Sequence, residues 1–298
     1  MNPKIRTFLW FDTQAEEAMH FYTSIFANSR IESIQRYPDG PLEGPWKGME
    51  GKVITGVFEL AGQQFMALDG GPMFKFTPSL SLFVNCETIQ EIDSIWEQLS
   101  EGGSALMPLQ KYQFSEKFGW LNDRYGLSWQ LNLAARAQKI TPFLMFVGTH
   151  NGKAEDAMKF YTSLFQDSGI ERIERYGEGE MGTVGAVKHA VFRLHGQEFM
   201  AMDGGTAHAF TFTEATSLLV SCQSQAEVDH FWDQLSADPQ AEQCGWLKDR
   251  YGLSWQINPD ALSALLNHPD PEKSKRVTDA MLQMKKIDIA GLERAANG

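Results

Sequence analysis

The sequence predicts an α+β protein built from two tandem domains, each holding a pair of β-α-β-β-β units. Three observations predict this class. Glu16-Glu17-Ala18-Met19-His20-Phe21-Tyr22-Thr23-Ser24-Ile25-Phe26 returns 139 residues later as Glu155-Asp156-Ala157-Met158-Lys159-Phe160-Tyr161-Thr162-Ser163-Leu164-Phe165, with 8 of 11 positions identical. A repeat of that length matches whole globular domains and is far too long for a solenoid. Gly62-Gln63-Gln64-Phe65-Met66-Ala67-Leu68-Asp69-Gly70-Gly71 returns at 196–205, and Gly119-Trp120-Leu121-Asn122-Asp123-Arg124-Tyr125-Gly126-Leu127-Ser128-Trp129-Gln130 returns at 245–256. Inside each copy, short apolar or alternating runs bounded by turn residues are interleaved with stripes at helical spacing.

The elements follow from these periods. Residues 5–11 form an apolar strand closed by Asp12-Thr13, where an N-cap would sit, and Ala18, Phe21, Tyr22 and Ile25 then fall at helical spacing. Strands follow at 30–37, 53–60 and 64–68, with a Gly- and Pro-rich loop over 39–51 and a turn at Gly62. The pattern repeats within the copy: a strand at 79–86, a stripe of Ile92, Ile95, Trp96 and Leu99, and strands at 106–114, 118–122 and 127–133. The second copy places strands at 141–147, 170–176, 188–194, 198–202, 217–222 and within 245–258. Its helices fall around 157–165 and on Val228, Phe231, Trp232 and Leu235.

Matching residues drift from 139 apart (Phe21 and Phe160) to 134 (Asp69 and Asp203) and 126 (Trp129 and Trp255). These indels fall in loop-like stretches or at 106–115, a segment the second copy replaces with the short 237–243. Residues 134–139 read as a linker. The resulting domains are 1–137 and 138–262, followed by a helical tail over 263–298 that opens on Asp270-Pro271, an N-cap with proline at the first helical position.

Composition narrows the function. Over 298 residues, 43% hydrophobic and 12% aromatic content allows two sizeable cores. A net charge of −12 without a basic run argues against nucleic acid as partner. Three cysteines are too few for a disulfide framework and fit a reducing compartment. With no apolar stretch of membrane-helix length and no signal-like start, the expectation is a cytoplasmic protein with no membrane partner.

The Glu-Ala-Met-x-Phe-Tyr-Thr-Ser-Ile/Leu-Phe helix, the Phe-Met-Ala-Leu/Met-Asp-Gly-Gly turn and the Gly-Trp-Leu-x-Asp-Arg-Tyr-Gly-Leu-Ser-Trp-Gln ending together resemble one family. It is the PhnB-like branch, named for demethylubiquinone methyltransferase, of the vicinal oxygen chelate (glyoxalase, bleomycin-resistance and dioxygenase) superfamily. The resemblance covers about residues 5–260. It implies two tandem vicinal oxygen chelate domains, each a pair of βαβββ units forming a curled, incomplete barrel with a concave pocket. It also implies that the chain supplies its own pseudo-dimer, with a homodimer as a further possibility.

The resemblance implies a divalent metal in some relatives, held by His and Glu from the first and last strands of the units. Here the last-strand position holds Gln130 and Gln256, and the first-strand stretches contain no histidine. The expectation is a site without metal or other cofactor that binds a small organic molecule. Ser128, Gln130 and Asn132 alternate with Leu127, Trp129 and Leu131, so amide and hydroxyl groups share one strand face. The candidate ligand-binding residues are Trp10, Glu59, Trp120 and Gln130 in the first copy, and His189, Arg193, Trp246 and Gln256 in the second.

His189 is the foremost candidate for catalysis, because Val191, Arg193 and His195 follow on its face while the first copy has Thr55, Val57, Glu59 and Ala61. The two pockets are therefore expected to differ. A second reading is a lyase, isomerase or group-transfer enzyme using His189 or a divalent metal captured through Gln256. Gly177-Glu178-Gly179-Glu180-Met181-Gly182 spells a nucleotide-loop pattern but precedes a strand rather than a helix. Asp69, Asp203, Asp123 and Asp249 read as turn scaffold, Cys86 and Cys222 as core, and Cys244 as an inert, half-buried thiol.

Overall fold

A computed structural model describes residues 3–41, 47–204 and 208–298. Parts of the loop expected over 39–51, and Gly205 of the second Asp-Gly-Gly turn, lie outside the described residues.

Three β-α-β-β-β units are followed by a fourth that lacks one strand. The first is β1 (Ile5–Phe11), α1 (Ala15–Ile25), β2 (Arg30–Arg36), β3 (Val53–Leu60) and β4 (Gln63–Asp69). The second is β5 (Leu80–Cys86), α2 (Ile89–Ser100), β6 (Ser104–Tyr112), β7 (Ser115–Asn122) and β8 (Ser128–Leu133). The third is β9 (Ile140–Phe146), α3 (Ala154–Leu164), β10 (Gly169–Arg175), β11 (Val187–Leu194) and β12 (Gln197–Asp203). The fourth is shorter: β13 (Thr216–Cys222), α4 (Gln225–Leu235), β14 (Trp246–Lys248) and β15 (Ser254–Pro259). Where the first copy has β6, the fourth unit has only the short segment 237–243, as the indel at 106–115 requires. The tail forms α5 (Asp260–Leu266), α6 (Pro271–Leu282) and α7 (Ile289–Asn297).

Contacts divide the chain into two compact units: Thr7–Thr216, and Ser217–Gly298 with the chain start up to Arg6. The larger unit contains an eight-stranded sheet in the order β10-β11-β12-β9-β5-β8-β7-β6. This sheet is open and joins the second half of the first copy to the first half of the second. Its seam is the antiparallel β5–β9 ladder, from Leu80↔Leu144 to Val84↔Ile140. The linker over 134–139 is short enough that the chain leaving β8 turns back within the same sheet, and the free edge of β5 takes β9. In the same unit β1, β4, β3 and β2 pair side by side, β1 with β4 in parallel and the others antiparallel.

The two halves of the first copy meet through their helix-bearing faces. Leu9, Phe11, Ala18, Met19, Tyr22, Phe58 and Phe65 of the first half share a buried core with Leu82, Val84, Ile92, Leu99, Trp129 and Leu131 of the second. At its centre Asp123, 4% exposed, accepts bonds from Tyr22 Oη (2.7 Å), Trp129 Nε1 (2.8 Å) and the backbone N–H groups of Tyr125 (2.8 Å) and Leu127 (3.0 Å). The expected hairpin-turn aspartate thus also ties α1 to β8.

α1 is not capped by Asp12 or Thr13. Its N-cap position is Gln14, without a side-chain cap, and the Ala15 N–H donates instead to Asp69 Oδ1 at 2.7 Å. Asp69 Oδ2 accepts from Val53 N–H at 2.9 Å, so one carboxylate fixes the start of a helix and of a strand. Asp203 repeats this with Gly152 (2.8 Å), Ala154 (3.1 Å) and Val187 (2.9 Å).

In the smaller unit the order is β14-β15-β13, with α4 against β15. Asp270 caps α6 through Glu272 N–H at 3.0 Å, with Pro271 at the first position, as expected. Leu262, Val277, Ile287, Leu292 and Ala296 give the tail its own small core. The backbone N–H groups of Cys244 and Gly245 donate to Met284 and Lys285 at 2.8 Å, so the tail packs on its own unit.

Burial sets an alkaline limit on stability. It pushes Tyr22 well above the ordinary tyrosine value, with Asp123 adding to the effect, and raises Tyr37, Cys86 and Cys222 each to about 12. The folded chain therefore keeps protons that the unfolded chain releases from the ordinary values of 9.0 and 10.0 upward. Stability from these groups is complete below that range and falls as pH rises through it. Melting temperatures are expected to decline steadily from pH 8.5 to 11; a flat profile would contradict this burial.

Candidate functional site

Alternation gives the eight-stranded sheet two unlike faces. Leu82, Val84, Trp129 and Leu131 point to the helix-side core, which leaves Ser81 and Phe83 of β5 and Ser128, Gln130 and Asn132 of β8 on the opposite face. Gln130 Nε2 donates to Ser81 Oγ at 2.8 Å, and Trp120, its cross-strand neighbour on β7, donates Nε1 to Ser128 Oγ at 2.8 Å. Around this polar strip lie buried Phe83, Phe118, Phe143, Met145, Val191 and Met200, with Met107, Tyr112, Met202 and Phe210 packed against them.

His189 shares the face. It stands opposite Glu174 in the β10–β11 ladder, with its ring centroid 6.0 Å from that of Phe143. Burial pushes its imidazole below the ordinary value, against the smaller upward pull of Glu174. At neutral pH it is an uncharged ring with both a donor and an acceptor nitrogen. Arg193 follows on the same strand but is engaged: it pairs with Glu171, approaches Glu198 Oε2 at 3.9 Å and donates to the Gly196 carbonyl at 3.1 Å. His195, expected to continue the face, lies beyond β11 in a turn with φ of 49° and is exposed.

The other candidates stand on other strands. Trp10 sits on β1 and donates Nε1 to the Gly71 carbonyl at 2.9 Å. Its indole lies over Gly70, where an added Cβ would come within 2.1 Å of the ring, so glycine is required there. Glu59 is held by Arg30 at 2.6 Å. In the smaller unit Gln256 donates to Ser217 Oγ at 3.0 Å and pairs across strands with Trp246. The Trp–Gln–Ser arrangement thus occurs twice, once in each compact unit. The structure brings Trp120, Gln130 and His189 onto one sheet face and leaves Trp10, Glu59, Trp246 and Gln256 on other strands.

Sequence reasoning missed Glu198. It is 7% exposed and accepts from Arg136 Nη1 at 2.7 Å. Gln138 brackets it, accepting from its N–H at 2.9 Å, donating to its carbonyl at 2.8 Å and to Thr141 Oγ1 at 3.3 Å. The signal was available: Gln64 becomes Glu198 inside one of the best-matched segments of the repeat. The donors on this face are amides, hydroxyls and one carboxylate already held by guanidinium. Among the described residues no three His, Cys, Asp or Glu side chains converge as a metal cage. This set does not fit a divalent cation.

The Gly177–Gly182 run joins β10 to β11, so no helix begins where a phosphate would need one. Cys86 and Cys222 are buried in strands, and Cys244 is half-buried with its thiol pushed up by burial. Among the described residues no helix is long and apolar enough to cross a membrane.

A family model described as 3-demethylubiquinone-9 3-methyltransferase matches the chain twice, over residues 3–132 and 138–258. Among solved structures the chain is similar to a PhnB protein from Bacillus cereus, at 54% identity over 44% of this chain and 100% of that one, with a TM-score of 0.41. It is also similar to protein PA1353 from Pseudomonas aeruginosa, at 25% identity over 42% and 93%, with a TM-score of 0.37. Glyoxalase I from Zea mays shares 9% identity over 85% of this chain and 92% of its own, with a TM-score of 0.52, which is a likeness of fold. No curated protein matches the sequence.

Proposed function

We propose that this chain, which belongs to the family described as 3-demethylubiquinone-9 3-methyltransferase within the vicinal oxygen chelate superfamily, is a small-molecule-binding protein. Its ligand site is the face of the eight-stranded sheet that carries Trp120 and Gln130, and it works without a catalytic metal. The observation that carries this reading is the Ser81–Gln130 and Trp120–Ser128 hydrogen-bonded strip set among buried rings and methionines. A few directed polar groups in an apolar surround fix a ligand's orientation, while the apolar area supplies affinity. Gln256 and Ser217 repeat the Gln–Ser bond in the smaller unit, with Trp246 again the cross-strand neighbour of the glutamine.

One observation favours a second reading, an enzyme of proton transfer. His189 is half-buried, uncharged at neutral pH and on the same face as Gln130, the condition a general base needs. Methyl transfer draws no support from the residues, because the glycine run at 177–182 lies between two strands.

Thermal shift against a metabolite collection tests the site, since a ligand that prefers the folded state raises the melting temperature. Any shift found should fall by more than half in Gln130→Ala and in Trp120→Phe. Shifts that survive both substitutions intact would remove this face as the site. Metal analysis of the purified protein tests the other half of the reading, and one bound divalent ion per chain would overturn it.

A further inference from the structure

The fourth unit lacks a counterpart of β6 and of the start of β7, and the connection between α6 and α7, residues 283–288, takes up contacts that those strands make in the first copy. There β6 flanks β7, with Gln110 facing Phe118, and Lys117 of β7 pairs with Asp93 of α2 at 2.5 Å. Ser115 Oγ, where β7 begins, donates to Asn132 Oδ1 of β8 at 2.6 Å. Along the repeat, Phe118 and Gly119 become Cys244 and Gly245, Asp93 becomes Asp229 and Asn132 becomes Asn258. The backbone N–H groups of Cys244 and Gly245 donate to the carbonyls of Met284 and Lys285 at 2.8 Å. Asp229 again pairs with a lysine, but that lysine is Lys286 of the tail, at 2.9 Å. Gln243 Nε2 donates to the Leu282 carbonyl at 2.7 Å, and Lys285 Nζ donates to the Pro239 carbonyl at 3.1 Å. Asn258 Oδ1 has no residue in the place of Ser115; it is buried without a hydrogen-bond partner among the described residues.

Two further positions serve the same joint. Ile89, exposed at the start of α2, becomes Gln225 in α4. The Gln225 amide donates to the Ile287 carbonyl at 3.0 Å and accepts from Ile289 N–H at 2.9 Å, the pairing that a neighbouring strand would offer. Gly245 has φ of 87°, and a Cβ there would come within 2.4 Å of Asn258 Oδ1 and 3.3 Å of Ile287 Cγ1, so a side chain is excluded where the tail approaches. β14 is short of support of its own. It has three residues against the eight of β7, and its ladder to β15 holds only the pairs from Trp246↔Gln256 to Lys248↔Ser254. So short a strand at a sheet edge is marginal by itself.

We propose that residues 283–288 are a strap that replaces the missing strand, so that β14 keeps its place on β15 only while the strap is docked. Strap and strand then open and close as one cooperative unit, and the Trp246–Gln256 pair forms and dissolves with them. This holds whichever face binds the ligand.

Hydrogen exchange on the whole chain tests the strap, with the Cys244 thiol as a second reporter, because Cys86 and Cys222 are buried in strands. In Gln225→Ala, which removes both of its bonds to the tail, amide exchange is expected to quicken about tenfold at Ile289 and Leu292 and by the same factor over residues 244–248. β6, β7 and β8 should keep their wild-type rates. Cys244 should react with a small disulfide reagent about tenfold faster. Lys286→Glu, which sets a carboxylate against Asp229 and Asp233, should act alike, while Lys286→Arg should stay near wild type. Should Gln225→Ala fail to fold, the two Lys286 variants carry the test. Quickened exchange at Ile289 and Leu292 with wild-type rates over 244–248 would overturn the proposal, because the tail would then only lean on the unit. Wild-type rates throughout would overturn it as well, and so would equal quickening in β6–β8, the mark of a general loss of stability.

Discussion

Asp123→Ala is expected to lower the unfolding free energy by about 4 kcal/mol, the largest effect of any single substitution considered for this chain. The carboxylate is nearly inaccessible and accepts four bonds, from Tyr22 Oη, Trp129 Nε1 and the amides of Tyr125 and Leu127. Alanine leaves all four donors without an acceptor, and each orphaned donor in a dry interior costs about 1–3 kcal/mol before relaxation and water entry reduce the sum. Asn keeps the shape and one acceptor oxygen but turns an NH2 toward donors, so a loss of about 2–3 kcal/mol is expected. Tyr22→Phe removes one donor only and should cost about 1 kcal/mol. Urea unfolding of the three variants checks the order. A loss under about 1 kcal/mol for alanine would mean that Asp123 is not the joint between α1 and β8.

Asp203→Ala should cost about 3 kcal/mol and should be felt locally as well as globally. Its two oxygens serve Gly152 and Ala154 at the start of α3 and Val187 at the start of β11, elements far apart in sequence. Without the carboxylate the first turn of α3 loses both its acceptor and the negative charge that complements the helix N-terminus. Amide exchange at Gly152, Ala154 and Val187 should quicken together in Asp203→Ala and partly recover in Asp203→Asn, which retains one acceptor. Exchange that quickens at Val187 alone would show that the helix start is held by something else.

These two aspartates mark how far the sequence could be read. Both were legible as scaffold, because Asp before Gly-Gly and before Arg-Tyr-Gly is turn chemistry. Their long-range partners were not, since local spacing carries no information about which distant amide a carboxylate reaches. The Asp12-Thr13 cap failed for the same reason: the local rule named the nearest acceptor, and Asp69 supplied the bond from across the unit. His195 was misplaced by extending a period of two past the end of β11, where the chain turns at φ of 49°.

For the candidate site, alternation in β8 put Gln130 on a polar face opposite Trp129, and the strands bear that division out. Glu198 is marked in the sequence only by the exchange of Gln64 for Glu198 within a matched segment, and its partner Arg136 lies 62 residues away. Arg193 was read as a pocket residue from strand parity alone. Its carboxylate partners, Glu171 and Glu198, come from β10 and β12 and could be identified only from the sheet order.

By itself the sequence determined that the chain is a duplication, that each copy holds two units of one kind with the last shortened at 237–243, and which residues of each strand share a face. Those are properties of spacing, and spacing is written in the chain. Only the tertiary structure decided that β9 of the second copy takes the free edge of β5 in the first, and with it which rings and polar groups share one sheet face. Any unit with an open strand edge satisfies the same local pattern, so the choice of partner is made by the short linker after β8 and by the burial that the completed sheet allows.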